Sequence, residues 1–339
     1  EAAADEERVD GALGHFERVG DLAPDTEVAV SAAFGQGALL LEAGRWAEAI
    51  RTLNAFSDQY AEHELSQRVP QMLVHAYHES GDEAAAADEL LAHEPDGASE
   101  SEYWQRRLRA AGYYREGGDP QKAISLYEAY FTDGTDHFGD HEFQQERRRD
   151  LADLYTGMDD SGSVSSWHRR LLEAEDATEG TTRSQHLASR SALHLGREAA
   201  DEVAAIRLEA PLNESLRRKR TALQEAMDYL REAESYGFAD TVTESTWRMG
   251  ELYRDLAQDV MDSERPEGLT ELQAEQYELL LEEEAYPFEE QAIDLHQRNQ
   301  RRIPDGHWTP WVERSLEALA EIYPGRYERD TRWMEARYD

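Results

Sequence analysis

Two histidines and two aspartates lie close together in one segment of the chain, at Asp136-His137 and Asp140-His141. Imidazole nitrogens and carboxylate oxygens are ligands that borderline divalent metal ions accept. A shared ion would require the segment TDGTDHFGDHE to curl until both histidines face one point. The glycines and aspartates of this segment instead favour a solvated loop that leads into a helix. We therefore predict a loop here and no metal site.

A second pair of histidines, His75 and His78, is spaced three residues apart beside Tyr77. Residues with this spacing are neighbours on a helix surface, so both imidazoles can share one face. Imidazole titrates near neutral pH, which makes the pair a candidate for ligand contact or for a pH-sensitive contact with a partner. The alternative is that they are two ordinary polar positions of a helix.

Carboxylates flank an aromatic and proline segment near the C-terminus, at residues 282–284 and 289–290. Two carboxylates can act together as general acid and base. On a helix, however, such a run is usually a solvated face. The chain contains no GxSxG, HExxH, phosphate-binding loop or dinucleotide-binding glycine motif. The sequence therefore predicts no enzyme activity and no cofactor.

The elements that must position these side chains repeat with a constant step. Four alanines follow one another at 37-residue intervals, and large apolar or aromatic residues follow each of them by four positions. The alanines are Ala12, Ala49, Ala86 and Ala123, and the residues four positions later are Phe16, Leu53, Leu90 and Tyr127. A fixed period of this length is typical of helical repeat proteins.

A glycine precedes three of these alanines by five residues, inside the sequences EAGRWAEAI, ESGDEAAAA and EGGDPQKAI. Glycine adopts the backbone conformations that end one helix and turn the chain toward the next. Gly44, Gly81 and Gly118 therefore predict units that consist of a helix, a tight turn and a second helix. The predicted fold class is all-α, an α-solenoid of antiparallel helix pairs.

This pattern resembles the tetratricopeptide repeat family, which favours Gly-Asp/Arg-x-x-x-Ala-Ile where its second helix begins. Gly37, Tyr77 and Tyr114 occupy first-helix positions at which the family packs glycine or tyrosine, and Pro24 stands where a unit ends in proline. The step of 37 residues exceeds the family's usual step of about 34, which implies longer helices or turns. The resemblance implies a right-handed superhelix whose groove binds a protein or peptide partner.

In that family the first helices line the concave surface of the superhelix. The resemblance, together with helical phase, places ten residues along the groove: Phe34, Leu41, Arg68, Gln71, His75, His78, Gln105, Leu108, Arg109 and Arg115. Arginines can bind the carboxylates of a partner in a bidentate manner. The alternative is that these arginines neutralise acidic residues on neighbouring helices.

Three segments are predicted along the chain: repeats over residues 1–178, irregular helical repeats or a helical module over 179–325, and a tail over 326–339. Helices are expected at 143–155 and 164–175, joined by the irregular turn GMDDSGS, and then at 183–207, 216–236, 241–262 and 308–323. Pro211 is expected to separate two of these helices, and Gly237 to end one. Thr270 is expected to cap a further helix, and Pro287 to start or kink another.

Residues 3–23 supply only the second helix of a pair, so we expect the chain to be cut from a longer array. Residues 226–325, which include WRMGELYRDLAQ and EEQAIDLHQRN, resemble the end of large envelope tetratricopeptide proteins of proteobacteria. Some of those proteins are linked to gliding-motility or Tol-like machinery. This resemblance implies a periplasmic or cell-envelope location, and a cytoplasmic location is the alternative.

The formal charge of -38 arises from 73 acidic residues against 35 basic ones, of which only Lys122 and Lys219 are lysines. We interpret this evenly spread excess as a halophilic adaptation, and an ordinary acidic protein is the alternative. The dense basic run at residues 217–220 has acidic neighbours, so we expect no nucleic-acid partner. No apolar run is long enough to span a membrane. The absence of cysteine excludes disulfides and thiolate zinc sites and leaves the compartment open.

These features together predict a non-catalytic protein-interaction scaffold that holds a protein or peptide in a helical groove, as part of a bacterial cell-envelope assembly. The alternative is a cytoplasmic regulatory or sensor subunit whose repeats bind an enzyme or a small ligand.

The charge leads to a direct prediction about salt. The free energy of unfolding should rise as KCl increases from about 0.1 M to about 1 M, because screening weakens the repulsion among carboxylates. Urea titrations at a series of KCl concentrations measure this. Maximal stability below about 0.1 M salt would contradict the halophilic interpretation.

Overall fold

The computed structural model describes residues 2–24, 26–94, 97–209 and 212–327. Within these ranges the regular elements are helices, and no strand occurs among them, which confirms the predicted all-α class. The α-helices are α1 (Ala2–Leu22), α2 (Glu27–Glu42), α3 (Trp46–Gln59), α4 (Val69–Glu79), α5 (Glu83–Ala92), α6 (Glu100–Glu116), α7 (Pro120–Asp133), α8 (His141–Thr156), α9 (Ser161–Asp176), α10 (Thr182–Ala205), α11 (Leu212–Ser235), α12 (Ala239–Met261), α13 (Glu271–Gln300), α14 (Pro310–Ile322) and α15 (Pro324–Tyr327). Short 3-10 helices occupy Glu64–Arg68 and Ile303–Asp305.

The chain forms two compact units, Glu1–Asp140 and His141–Asp339. Helices α1 to α7 belong to the first unit and α8 to α15 to the second, and consecutive helices pack against each other within each unit. The division falls inside the segment 1–178 that the sequence analysis gives to the repeats, and that domain assignment stays a prediction. The predicted break at Pro211 and the tail beyond residue 327 lie outside the described residues.

The turns between paired helices in the first unit share one backbone geometry. Gly44, Gly81 and Gly118 have φ values of 69, 80 and 77°. The amide of the residue after each glycine donates to the carbonyl four residues before that glycine, over 2.8 to 2.9 Å. This is the Schellman arrangement, which satisfies carbonyls that a helix end would otherwise leave unpaired. The predicted unit of helix, tight turn and helix is confirmed.

The turn between α8 and α9 has the same geometry although it contains an aspartate where the others contain glycine. Asp159 has a φ of 58°. The amide of Asp160 donates to the carbonyl of Tyr155 over 3.1 Å, and the amide of Asp159 donates to Thr156 over 3.2 Å. The prediction of an irregular turn here was wrong, because aspartate tolerates the left-handed conformation better than most residues do.

In three of these four turns, an aspartate caps the start of the helix that follows. The side chains of Asp82, Asp119 and Asp160 each accept a hydrogen bond from the amide three residues later, over 3.1 to 3.2 Å. Such a cap satisfies one of the free amides at the helix start and costs about 1 kcal/mol when removed. The Gly-Asp pair of the repeat therefore ends one helix and starts the next.

Small residues let the paired helices approach closely. Ala49, Ala86 and Ala123 are fully buried, and Val164 takes the same position five residues after Asp159. At Gly37, a Cβ atom would lie only 2.5 Å from Cδ2 of Leu53. The alanines spaced 37 residues apart are thus positions at which one helix of a pair contacts the other.

The second unit continues with consecutive helices that are longer than those of the first. Thr270 caps α13 as predicted, in a capping box with Gln273, and Gly237 has the expected positive φ of 80°. Pro287 was predicted to start or kink a helix. It does not start one, because α13 runs through it from Glu271 to Gln300, and the kink stays a prediction. A proline removes one amide donor, and the packing of a long buried helix face outweighs that loss.

A histidine pair lies in the second unit at the contact between α9 and α10. His168 stands nine residues after the left-handed residue of its turn, where the other units have Leu53, Leu90 and Tyr127. Its ring centroid is 4.2 Å from that of His194, and its Nδ1 is 2.9 Å from Oγ of Ser191. Burial and His194 lower the pKa of His168 to about 3, and burial also lowers the pKa of His194.

The turn geometry predicts opposite effects for two substitutions. Asp159→Gly should raise the free energy of unfolding by about 0.5–1 kcal/mol, because glycine relieves the left-handed strain. Gly118→Asp should lower it by a similar amount, since a Cβ at Gly118 meets open space and only the backbone conformation resists it. Urea unfolding measures both, and a destabilised Asp159→Gly protein would refute the shared turn.

The histidine pair predicts a loss of stability in mild acid. The unfolded chain binds protons below about pH 6.5, whereas folded His168 stays neutral down to about pH 3, so the loss begins as the pH falls through the unfolded value. Between about pH 6.5 and pH 5, the free energy of unfolding should therefore fall by about 1–2 kcal/mol less in the His168→Gln variant than in the wild type. Parallel slopes in urea titrations of the two proteins would contradict this.

Candidate interaction site

Nine of the ten predicted groove residues lie on α2, α4 and α6 of the first unit, and the tenth, Arg68, ends the 3-10 helix that precedes α4. We call the faces of α2, α4 and α6 that carry them the first-helix surface. Arg68, Gln71, His75, Gln105, Arg109 and Arg115 are exposed, and Phe34, Leu41 and His78 are half-buried. Leu108 is only 5% exposed, so its side chain packs in the core and is not accessible to a partner.

An aromatic and cationic contact joins α2 to the start of α4. The Arg68 guanidinium lies 5.3 Å from the ring centroid of Phe34, which in turn packs edge-on against Phe56 at 5.5 Å. A guanidinium near an aromatic ring gains about 0.5–1 kcal/mol at an exposed site. Arg68 is thereby held in place while its charged end stays accessible.

A second contact joins α4 to α6. The His78 ring lies 5.1 Å from that of Tyr113, and the Tyr113 hydroxyl accepts hydrogen bonds from Nη2 and Nε of Arg109 at 2.7 and 3.1 Å. Nδ1 of His78 lies 2.8 Å from a carboxylate oxygen of Glu83 at the start of α5. Because a carboxylate only accepts, this nitrogen is the donor. Four side chains therefore fix this part of the surface.

Tyr113 is a contributor that the sequence analysis missed. It precedes Tyr114, and adjacent residues on a helix point about 100° apart. The Tyr114 hydroxyl donates to Asp88 on α5, and this hydrogen bond holds the pKa of the Asp88 carboxyl below its usual range. The Tyr113 ring contacts α4 instead. Two consecutive tyrosines in a first helix were the available signal that both faces of α6 are used.

The structure separates the two histidines that the sequence spaces three apart. His75 packs edge-on against Trp46 of α3, with ring centroids 5.7 Å apart, and its Nδ1 is 4.0 Å from Glu79. His78 contacts α6 instead. The two imidazoles therefore meet different helices and do not form one contact.

Ligand atoms for a metal ion converge at one group within the described ranges, formed by His78, Glu83 and Glu116, whose donor atoms lie within 4.8 Å of one another. The hydrogen bond between His78 and Glu83 accounts for most of this arrangement. His141 is the first residue of α8 and is paired with Glu175 at 2.8 Å, whereas His137, in the segment before α8, is exposed. The two histidines of this segment thus have different surroundings.

Comparisons with known proteins identify no family for this chain. No family model matches the chain, and no curated protein matches it. Among solved structures, it is similar to the C-terminal part of a TPR repeat-containing protein from Cytophaga hutchinsonii, with 10% identity, a TM-score of 0.35, and coverage of 87% of this chain and 97% of the other. It is also similar to a monomeric mutant of IFIT1 with Gppp-AAAA, with 9% identity, a TM-score of 0.28, and coverage of 96% of this chain and 71% of the other. A circular tandem repeat protein has 16% identity and a TM-score of 0.25, with coverage of 95% of this chain and 81% of the other.

The chain's own turns and consecutive helix pairs define an all-helical repeat fold that resembles that of tetratricopeptide proteins. In the described part of the chain, no helix has the length and apolar character that crossing a membrane requires.

Proposed function

We propose that the chain is a non-catalytic scaffold that binds a protein or peptide segment on the first-helix surface. The supporting observation is that Arg68 and Arg109 are each held by an aromatic side chain while remaining exposed. Side chains that are ordered before binding lose less conformational entropy when a partner arrives. Guanidinium groups bind carboxylates in a bidentate manner, so the expected partner segment carries acidic side chains.

A nucleic-acid partner is not part of this proposal. Within the basic run, the ammonium of Lys219 is buried and bound to the carbonyl of Ile206 and to Asp259. Arg220 is paired with Glu284 of α13. Two of the four basic side chains are therefore neutralised within the protein, and a phosphate-binding surface needs concentrated positive charge.

For the cellular setting we propose the cell envelope, on the basis of the resemblance of residues 226–325 to large envelope tetratricopeptide proteins, with a halophilic source as the explanation of the charge. The alternative function is a cytoplasmic regulatory or sensor subunit. The location of the natural partner distinguishes the two proposals.

The scaffold proposal predicts a specific loss of binding. Peptides selected from a random display library against the wild-type protein should be acidic, and they should bind the Arg68→Ala/Arg109→Ala variant at least about tenfold more weakly, which is about 1.4 kcal/mol. Arg190→Ala, an exposed site on α10, is the matched control and should bind as the wild type does. Isothermal titration measures the affinities. Equal affinity for the double variant and the wild type would refute the use of this surface.

A further inference from the structure

A groove lies between α11 and α13 in the second unit, with a cavity volume of about 1010 Å³. Its walls come from α11 between Leu212 and Glu232 and from α13 between Tyr277 and Glu284. We call it the α11–α13 groove. Pockets for small ligands have volumes of about 300–1,000 Å³, so this groove has room for a segment of polypeptide.

The groove has an apolar wall that the protein leaves open. Leu216 and Leu281 are buried at its base, whereas Leu280 is 60% exposed beside them. Leu212 and Tyr277, which also line the groove, are half-buried. Exposed apolar side chains grouped at a groove indicate a contact surface more often than isolated ones do.

The exposed first third of α13 is held in a fixed conformation. Arg265, in the connection before α13, donates from Nε and Nη2 to the two carboxylate oxygens of Glu278 at 2.8 and 2.9 Å. It also donates to the carbonyl of Met261 over 2.7 Å. The capping box of Thr270 and Gln273 closes the start of the helix. This wall is therefore ordered before any partner binds, which favours affinity.

The charges along the groove are segregated. Arg217 lines the groove toward the start of α11, and Arg218 borders the adjoining cavity beside it. Glu225, Asp228 and Glu232 line the groove further along the same helix. Arg220 is neutralised by Glu284 between the two groups. At 1.5 Å per residue, about 16 Å separate Arg217 from Asp228 along the helix. At the other end Asp228 lies 3.3 Å from Arg231, and Glu225 and Glu232 add negative charge on either side of it. The groove thus has a basic end and an acidic end.

An α-helix has the complementary polarity. Acidic residues are favoured in its first turn and basic residues in its last turn, because they oppose the charges of the helix dipole. A helix of about eleven residues spans 16 Å. Such a helix matches both ends of the groove when its N-terminus lies at the basic end, which is the direction of α11.

We propose that the α11–α13 groove binds an amphipathic helix of a partner protein that runs parallel to α11. The acidic first turn of the partner lies at Arg217 and Arg218, and its basic last turn lies at Asp228 and Glu232. Its apolar face packs on Leu280. This surface is separate from the first-helix surface and does not depend on the function proposed for it.

Synthetic helical peptides test the proposal on the full chain. The probe has leucines at helical spacing, three glutamates in its first turn and three lysines in its last turn, and a second peptide of the same composition has the charges interleaved. The segregated peptide should bind at least about tenfold more tightly by fluorescence anisotropy at moderate salt. Equal affinity, or no binding of the segregated peptide at millimolar concentration, would overturn the proposal.

Two substitutions on one helix locate the contact. Leu280→Glu should weaken binding of the segregated peptide at least tenfold, whereas Leu272→Glu, an equally exposed site that does not line the groove, should leave it unchanged. Circular dichroism and urea unfolding check that both variants fold. Concentration-dependent association of the chain that Leu280→Glu abolishes, with no effect of the peptide, would assign the groove to a second copy and overturn the proposal.

The absence of cysteine allows the direction to be measured. Single fluorophores are attached through Glu214→Cys near the start of α11 or Ser235→Cys at its end, both at exposed positions. Energy transfer to a fluorophore on the N-terminus of the peptide should be stronger from position 214. Stronger transfer from position 235 would contradict the parallel orientation.

Discussion

Four helix pairs, α2–α3, α4–α5, α6–α7 and α8–α9, reverse direction through the same hydrogen-bonded turn, and the rest of the repeat depends on it. At Gly44, Gly81, Gly118 and Asp159 the backbone is left-handed, and the next amide bonds to a carbonyl five residues before it. The turn satisfies the end of one helix and, in three cases, places an aspartate that caps the next. Because the second helix always begins at the same distance from the first, the residue five positions after the turn always faces its partner helix.

That fixed distance determines which side chains become core and which become surface. The buried alanines bring paired helices close together, and the first helices of successive units then present the ordered contacts of Phe34 with Arg68 and of His78 with Tyr113. The second unit has longer helices. The part of α13 that lies along the α11–α13 groove is fixed by the two hydrogen bonds from Arg265 to Glu278. In both units, binding surfaces are proposed where helices are fixed by local hydrogen bonds and aromatic contacts.

The sequence predicted the parts of the fold that depend on local backbone chemistry. A recurring glycine identified three turns, but the fourth, at Asp159, was predicted to be irregular, because the same turn conformation admits more than one residue type. Pro287 does not start a helix, since tertiary packing outweighs a local helix penalty. The assignment of the ten residues to a groove stays a prediction. Spacing alone did not show that His75 contacts Trp46 of α3 while His78 contacts Tyr113 of α6, because these contacts join different helix pairs. The groove between α11 and α13 could not be predicted from the sequence for the same reason.

The most direct test of the central claim is the backbone conformation of the four turn residues in solution. Torsion angles derived from NMR chemical shifts should give positive φ values at Gly44, Gly81, Gly118 and Asp159 alike. The glycines alone do not decide the question, because glycine adopts positive φ readily. A negative φ at Asp159 would show that the fourth pair turns in another way, and it would contradict the claim that one hydrogen-bonded turn organises the repeat.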